Sequence, residues 1–257
     1  MQILTDLQAD TTAPTIVIAA AMDMETAPLL HHLAGARTAT LANQTWHLGT
    51  WNTGEGAGEG EGLDGLQVCV ITTGIGLANA ASAAARAHLV FENIRAYICA
   101  GTTGGLGAET NVRDVLVGTS FIYSRADATA FGYKPGQIPG LPEEFTADET
   151  LAEKARAALG TRTDDGGVVW FGQVSSSDAF VTAQNVERTR ETFPRALGAD
   201  METTAAAQVC AASGVPFISV RAISDLCGPA ANQDFHVDGS VAAEISANAV
   251  NRVLASL

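Results

Sequence analysis

The chain has 257 residues, of which 47% are hydrophobic and 16% are charged, a balance that excludes a disordered chain and permits a sizeable core. Its formal net charge is −14, with 14 basic residues against 28 acidic ones. A surface this acidic repels phosphate backbones and anionic lipids, so we expect no nucleic acid and no membrane as a partner. No apolar run is long enough to span a bilayer, and residues 1–14 lack the pattern of a signal peptide. We therefore expect a cytoplasmic protein.

Strands and helices mostly alternate along the chain. After a poorly ordered tail at residues 1–14, the patterns predict strands at 15–21, 45–50, 66–72, 96–100, 115–123, 168–174 and 217–223. They predict helices at 22–33, 78–90, 151–159, 187–193, 202–212 and 240–257. This alternation predicts an α/β fold, a single domain over residues 15–257 whose central twisted mixed β-sheet is flanked by helices in three α/β/α layers.

Two segments stand outside this alternation. Residues 54–65 alternate glycine with acidic residues, and this pattern predicts a flexible hairpin tip. Residues 127–145 are rich in Gly, Pro and aromatics and predict a long irregular loop. Loops of that length without regular structure are uncommon unless they are functional.

The sequence favours neither a metal site nor a bound cofactor. The four cysteines are widely spaced without a C-x-x-C pair, and the five histidines form no spacing typical of a metal site. Residues 74–79 follow a predicted strand and open a helix, but they lack the third glycine of the dinucleotide motif. There is also no phosphate-binding loop and no serine of the G-x-S-x-G type.

Three carboxylates lie next to the predicted ends of strands or the starts of helices. Glu25 follows the first strand, Asp225 follows the strand at 217–223, and Glu202 opens a helix. In open α/β sheets ligands bind beyond the carboxyl ends of the strands, which favours one shared pocket. Each carboxylate taken alone has a simpler explanation. An acidic residue in the first turn of a helix interacts favourably with the helix dipole, and an acidic residue can also cap a turn. Residues 101–105 predict a tight turn, either a purely structural one or one that brings backbone amides to a ligand.

Seven short motifs around these residues occur in an order that resembles one family. They are AMDME at 21–25, TGIG at 73–76, AGTTGG at 100–105, TAFGY at 129–133, SDAF at 177–180, DME at 200–202 and VRAISD at 220–225. The set resembles the bacterial 5′-methylthioadenosine/S-adenosylhomocysteine nucleosidases of the nucleoside phosphorylase superfamily, over roughly residues 15–256. The resemblance implies a central mixed sheet flanked by helices, in a homodimer.

The resemblance also implies a hydrolase that cleaves the N-glycosidic bond of 5′-methylthioadenosine and S-adenosylhomocysteine, with water as the nucleophile. The products would be adenine and the 5-thioribose, in methionine salvage. Asp225 would be the general acid that delivers a proton toward adenine N7, with Ser224 orienting it. Glu25 would hold and activate the attacking water, helped by Arg221 and Thr102, an arrangement analogous to that of inverting glycosidases.

The substrate-binding residues carry over in the same way. Glu202 would accept hydrogen bonds from the ribose hydroxyls, Met201 would pack on the sugar, and Phe180 would stack on the purine. Val181 would present backbone groups to the edge of the base. The further lining residues implied by the resemblance are Met22, Ile75, Thr103, Gly104 and Phe235. For Met22, Phe180 and Phe235, ordinary core packing is the alternative outside this motif context.

The resemblance assigns the long loop to the partner subunit's site. Phe131 and Pro139 would come from the partner and surround the 5′-thio substituent. The sequence departs from the family pattern here, because Ser124-Arg125 stands where a His-Asp pair is common and Ala128 where a branched aliphatic is usual. These departures leave open whether the substrate is instead 5′-deoxyadenosine or an aminofutalosine-type nucleoside.

The pair Thr102-Thr103 is a further departure, since the family usually has Ser-Ala there.

Two other classes of function are alternatives to a nucleosidase. A purine nucleoside phosphorylase shares the fold but needs cationic donors for phosphate, and residues 22–25 and 101–105 supply none. A nucleoside-binding protein without catalysis predicts loss of one of the three carboxylates, and all three are present.

Overall fold

The computed structural model describes residues 2–53, 66–228 and 231–257, and within these ranges it does not describe the side chains of residues 2, 4 and 231–238. The hairpin tip expected at residues 54–65 therefore lies outside the described residues. The side chain of Phe235 also lies outside them.

The described strands form one mixed sheet. They are β1 (Thr15–Ala20), β2 (Leu33–Leu41), β3 (Gln44–Trp51), β4 (Gln67–Thr72), β5 (Ile94–Gly105), β6 (Val115–Tyr123), β7 (Phe145–Thr146), β8 (Val169–Ser176), β9 (Ala196–Asp200) and β10 (Phe217–Asp225). Their order in the sheet is β10-β6-β8-β9-β5-β1-β4-β3-β2, with β7 beside β6. Because β5 also pairs with β10, five of these strands close into a ring, and the other strands of the order extend from β5 as an open sheet.

Helices cover both faces of this sheet. They are α1 (Gln2–Leu7), α2 (Asp23–Leu30), α3 (Leu77–Val90), α4 (Glu149–Leu159), α5 (Val186–Thr192), α6 (Thr203–Ser213) and α7 (Ala231–Leu254), with a 3-10 turn at Thr129–Phe131. Within the described part of the chain, none of these helices has the length and apolarity that a membrane crossing requires. The predicted α/β fold, a mixed sheet flanked by helices, is confirmed.

The central strand β1 shows why the sheet needs helices on both faces. Its side chains alternate between two hydrophobic cores, with Ile16 and Ile18 in one and Val17 and Ala19 in the other. This period of two is the geometry of a strand, and a strand buried on both faces reads as a continuous apolar run. The first core includes residues of α2, α4 and α7, and the second includes residues of α1, α3 and α6.

The structure corrects the prediction of a poorly ordered tail. Residues 2–7 form α1, which buries Ile3 and Leu7 in the second core. These two residues are four apart and therefore share one face of the helix. The sequence pattern was too short to predict a helix, because α1 is stabilised by the sheet beneath it rather than by its own length.

Three other predictions were wrong in detail. The helix predicted at 22–33 ends at Leu30, and residues 33–41 form β2, which pairs with β3 at the edge of the sheet. Residues 101–105 are not a tight turn but the end of β5, where Gly104 and Gly105 pair with β9. Strand β9 was not predicted, and α7 begins at Ala231 rather than at residue 240.

A buried carboxylate joins the start of β6 to β8. Asp114 accepts hydrogen bonds from the backbone N–H of Val168 at 2.8 Å, the indole N–H of Trp170 at 2.8 Å and the backbone N–H of Asn111 at 2.9 Å. Three donors depend on this one side chain, and its removal would leave them without their acceptor.

We predict that Asp114→Ala lowers the free energy of unfolding by about 2–4 kcal/mol, because buried donors that lose their acceptor are costly. The measurement is urea denaturation followed by circular dichroism. Asp164→Ala is the matched control, since the Asp164 side chain is 82% exposed in its pair with Arg252 and its loss should cost little. Equal losses of stability in the two variants would contradict this account of Asp114.

Candidate active site

The carboxyl ends of β1, β5, β9 and β10 meet around one cavity. The described residues that line it are Ala21, Met22, Glu25, Ile75, Thr102, Thr103, Gly104, Ala179, Phe180, Val181, Ala199, Asp200, Met201, Glu202, Ser224, Asp225 and Cys227. The three carboxylates singled out in the sequence, Glu25, Glu202 and Asp225, are therefore brought together. Each is buried and each lines the cavity.

Glu25 is fixed in the first turn of α2 by four hydrogen bonds. Its Oε2 accepts from the backbone N–H of Ala21 at 3.0 Å and of Met22 at 3.1 Å. Its Oε1 accepts from both the backbone N–H and the hydroxyl of Thr102, each at 2.8 Å. A Cβ on Gly101, whose φ is +116°, would lie 2.6 Å from Oε1, so glycine is what allows this approach. The orientation of the carboxylate is thus set by β1, α2 and β5 together.

Asp225 lies at the end of β10, where an irregularity in the register with β5 follows Ile223. Such irregularities re-aim side chains, and here Asp225 faces the cavity. Its Oδ2 accepts from the Ser224 hydroxyl at 3.1 Å, and its Oδ1 accepts from the backbone N–H of Cys227 at 2.9 Å. A Cβ on Gly104 would lie 3.2 Å from Oδ1, so the strand backbone approaches the acid closely.

A fully buried arginine lies behind the cavity. The Arg221 side chain is 1% exposed, and its Nε lies 2.9 Å from Oδ2 of Asp200. Its Nη2 lies 3.4 Å from Oε2 of Glu202 and donates to Sγ of Cys99 at 3.0 Å, while Nη1 donates to the carbonyl of Thr102 at 2.7 Å. Burial alone would lower the pKa of Arg221, but the charges of Asp200, Cys99 and Glu202 hold that pKa well above its ordinary value.

Glu202 is held between this arginine and the start of α3. Its Oε1 accepts from the backbone N–H of Gly76 at 2.9 Å, and its Oε2 is the oxygen near Arg221. Burial raises the pKa of Glu202 to about 7; Arg221 and the Gly76 N–H oppose this rise, and the charges of Asp200 and Glu25 add to it. A carboxyl that titrates near neutrality in a closed site is typical of functional positions.

The loop after β8 brings an aromatic side chain to the cavity. Phe180 is 46% exposed and lines the opening beside Val181. The loop is tied to the start of α3, because Oδ1 of Asp178 accepts from the backbone N–H of Leu77 at 2.8 Å. A flat, partly exposed ring at a cavity mouth is suited to stacking on a planar ligand.

Most of the sequence-predicted residues lie at this cavity. Those that line it are Met22, Glu25, Ile75, Thr102, Thr103, Gly104, Phe180, Val181, Met201, Glu202, Ser224 and Asp225. Arg221 lies beneath the lining and acts on it through contacts. Phe131 and Pro139 do not line the cavity within a single chain, and the Phe131 side chain is 82% exposed.

Five lining residues were missed by the sequence reasoning: Ala21, Ala179, Ala199, Asp200 and Cys227. Asp200 stands in the DME motif but received no role, and its position at the end of β9 was hidden because that strand was not predicted. Cys227 has a φ of +56° and lines the cavity beside Asp225. Burial raises the pKa of the Cys227 thiol to about 12, with the charge of Asp225 adding to the rise. Its place two residues after Asp225 was the signal available.

The chemistry of the cavity is that of carboxyl groups. Among the described lining residues, Glu25, Asp200, Glu202 and Asp225 are acidic and none is lysine or arginine. The described residues also hold no group of three His, Cys, Asp or Glu side chains that could bind a metal ion. Such a site can bind hydroxyl and N–H donors, and it can relay protons, whereas it repels anions.

The chain matches the phosphorylase superfamily over residues 15–255, so its fold and site define it as a member of that superfamily. A 5′-methylthioadenosine/S-adenosylhomocysteine nucleosidase of Geobacillus sp. (strain WCH70) is 36% identical over 76% of this chain and 83% of the relative. The Neisseria meningitidis nucleosidase of the same name, solved with methylthio-immucillin-A, is 32% identical with a TM-score of 0.85, covering 95% of this chain and 99% of that one.

The Colwellia psychrerythraea 34H nucleosidase, solved with adenine, is 29% identical with a TM-score of 0.86 over 97% of this chain and 98% of that one. Within the superfamily, the chain belongs to the family of the 5′-methylthioadenosine/S-adenosylhomocysteine nucleosidases.

We predict that Glu202→Gln flattens the pH dependence of stability. A carboxyl whose pKa is raised in the folded state, here from 4.5 to about 7, loses stability as pH rises through this window, because the unfolded chain ionises first. Relative to the wild type, the variant should gain on the order of a few kcal/mol between pH 4.5 and 7. The measurement is urea denaturation at a series of pH values.

Glu153→Gln, on the exposed face of α4, is the matched control for this experiment. The difference between Glu202→Gln and the wild type should change across the window by more than the difference between Glu153→Gln and the wild type, because Glu202 is buried and Glu153 is exposed. A constant offset for Glu202→Gln would show that Glu202 has the same pKa in both states.

Proposed function

We propose that this chain hydrolyses the N-glycosidic bond of 5′-methylthioadenosine and S-adenosylhomocysteine, releasing adenine and the 5-thioribose. Its family membership supports this activity, as do the two similar structures whose sites hold adenine and methylthio-immucillin-A. In a cell the reaction serves methionine salvage. It needs water and the nucleoside, and it needs neither a metal nor a bound cofactor.

The negative charge of the cavity is the observation that favours hydrolysis over phosphorolysis. Phosphate is bound in proteins by cationic donors, arginine above all. The described lining has four carboxylates and no basic side chain, and the donors of the nearby Arg221 are directed to Asp200, Glu202, Cys99 and the Thr102 carbonyl. A phosphate dianion beside Glu25 would be repelled, whereas a water molecule would find acceptors.

Asp225 acts as the general acid toward N7 of adenine. Breaking a ribosidic bond builds negative charge on the departing purine, and a proton at N7 makes it a better leaving group. The Ser224 hydroxyl and the Cys227 N–H each hold one oxygen of Asp225, and these contacts fix the direction in which the carboxyl delivers its proton.

Glu25 positions and activates the attacking water. Its carboxylate is held by the backbone N–H groups of Ala21 and Met22, between β1 and α2, and by the backbone N–H and hydroxyl of Thr102, and it lines the same cavity as Asp225. An acid at the leaving group and a base at the water parallel the two carboxyl groups of inverting glycosidases. Arg221 contributes indirectly, since it binds the Thr102 carbonyl.

The remaining lining residues bind the sugar and the base. Glu202 accepts hydrogen bonds from the ribose hydroxyls, and Met201 packs on the sugar. Phe180 stacks on the purine, which its position at the mouth of the cavity allows. Val181 offers backbone groups to the edge of the base. Ile75 and Met22 add apolar lining, and the resemblance to the family assigns Phe235, whose side chain lies outside the described residues, to the same role.

We also propose a homodimer in which the partner supplies Phe131 and Pro139 around the 5′ substituent. The exposed Phe131 ring supports this, because a large apolar side chain at a loop tip is stabilised by burial against another surface. The four cysteines are free and buried, the usual state in a reducing compartment, which supports a cytoplasmic location.

Chromatography of adenine released from 5′-methylthioadenosine, with and without added phosphate, tests the proposed reaction. We expect the same rate in both conditions and a free thioribose as the second product. Release only with phosphate, with a sugar 1-phosphate as product, would make the chain a phosphorylase. S-Adenosylhomocysteine, 5′-deoxyadenosine and an aminofutalosine-type nucleoside, assayed in parallel, give the preference for the 5′ substituent.

Asp225→Asn should keep nucleoside binding and lose most turnover, with kcat reduced by about 10²–10⁴-fold, because general acid catalysis contributes effects of that size. Binding is measured by calorimetry and turnover by adenine release. Asp148→Asn is the matched control, since Asp148 caps the start of α4 and lies outside the described lining of the cavity. Unchanged turnover in Asp225→Asn would contradict the acid role.

A further inference from the structure

We infer that Asp200 is a positioning residue. It forms the closer ion pair with the buried Arg221, and this leaves the carboxylate of Glu202 free to bind the sugar. This inference rests on the proposed function, because it assigns the sugar hydroxyls to Glu202. Asp200 lies at the end of β9, two residues before Glu202, and lines the same cavity.

The two oxygens of Asp200 act on different partners. Oδ2 lies 2.9 Å from Nε of Arg221 and also accepts from the Thr203 hydroxyl. Oδ1 accepts from the Ser176 hydroxyl at 2.6 Å and from the backbone N–H groups of Glu202 at 3.3 Å and Thr203 at 3.2 Å. One side chain therefore anchors the guanidinium and also the backbone that carries Glu202.

The ion pair between Glu202 and Arg221 is longer than the ion pair between Asp200 and Arg221. Its Oε2 lies 3.4 Å from Nη2 of Arg221, half an ångström longer than the 2.9 Å contact of Asp200. The donated hydrogen bond from Gly76 at 2.9 Å holds the other oxygen, Oε1. Oε2 can therefore still accept hydrogen bonds from the cavity. A carboxylate that binds two sugar hydroxyls needs such a free acceptor.

The groups that act electrostatically on Glu202 come from five elements. They are Asp200 from β9, Arg221 from β10, the Cys99 thiol from β5, Glu25 from α2 and the Gly76 N–H at the start of α3. If Asp200 lost its charge, Arg221 would have Glu202 as its nearest remaining carboxylate. The guanidinium would then occupy the oxygen that the sugar needs, and Glu202 would ionise at lower pH.

The experiment compares Asp200→Asn with the conservative variant Asp200→Glu, using adenine release from 5′-methylthioadenosine across a pH series. For Asp200→Asn we expect KM to rise about tenfold with kcat changed less than about threefold, because a binding contact is lost while the acid and the water site remain. The acid limb of kcat/KM should move to lower pH by about one unit. Asp200→Glu retains the charge and should keep the wild-type limb.

Inhibition by free adenine separates positioning from general damage. Adenine has no sugar and does not reach Glu202, so its inhibition constant should stay within about twofold of the wild type in both variants. A merely structural role would weaken adenine and nucleoside alike. An unchanged KM and an unchanged acid limb in folded Asp200→Asn would overturn the inference.

If heat denaturation shows that Asp200→Asn does not fold, Ser176→Ala replaces it. That variant removes the 2.6 Å hydrogen bond to Oδ1 while leaving both carboxylates, and a smaller rise in KM is expected without any change in adenine inhibition. No rise in KM would overturn the inference. Wild-type adenine release in the same assay tests the proposed function separately, so the two failures are distinguishable.

Discussion

The burial of one guanidinium is the constraint on which the site depends. A charged group out of water must be paired and fully hydrogen-bonded, and Arg221 meets this requirement only because two other strands, β5 and β9, and the start of α6 supply acceptors. Its partners Asp200, Glu202 and Thr102 are also the residues that shape the cavity. The interaction that satisfies the arginine therefore sets where the carboxylates of Glu202 and Glu25 can lie.

The closure of the sheet explains why these strands meet. Because β5 pairs with β10 on one side and with β9 near its end, three strand ends open onto one space. The pairing brings Gly104 against Ala199 and Asp225, and a Cβ at this position would lie 2.5 Å from Sγ of Cys227, a clash that glycine avoids. Residues more than a hundred positions apart in the chain thus form one wall of the cavity.

The fold class and most of the cavity were predictable from the sequence, because Glu25 and Asp225 follow apolar runs, and this local pattern marks the ends of strands. The closure of the sheet was not predictable, because the pairing between β5 and β9 produces no hydrophobic pattern in the sequence of either strand. Asp200 had no assigned role because β9 has only five residues and contains Gly198 and two alanines, a weak strand pattern. Helix α1 was missed because a six-residue helix depends on tertiary contacts.

The ring of strands also affects how the chain behaves among its neighbours in solution. In the described residues the sheet ends at β2, whose backbone groups on one side pair with no other strand. Edge strands are templates for uncontrolled association unless they are interrupted or charged. In β2 the register shifts between Ala34 and Arg37, Gly35 has a φ of +63°, and the Arg37 side chain binds Gln8 beyond the end of α1. The β2 edge is irregular and carries a charged side chain, so it resists pairing with a second sheet and the formation of aggregates.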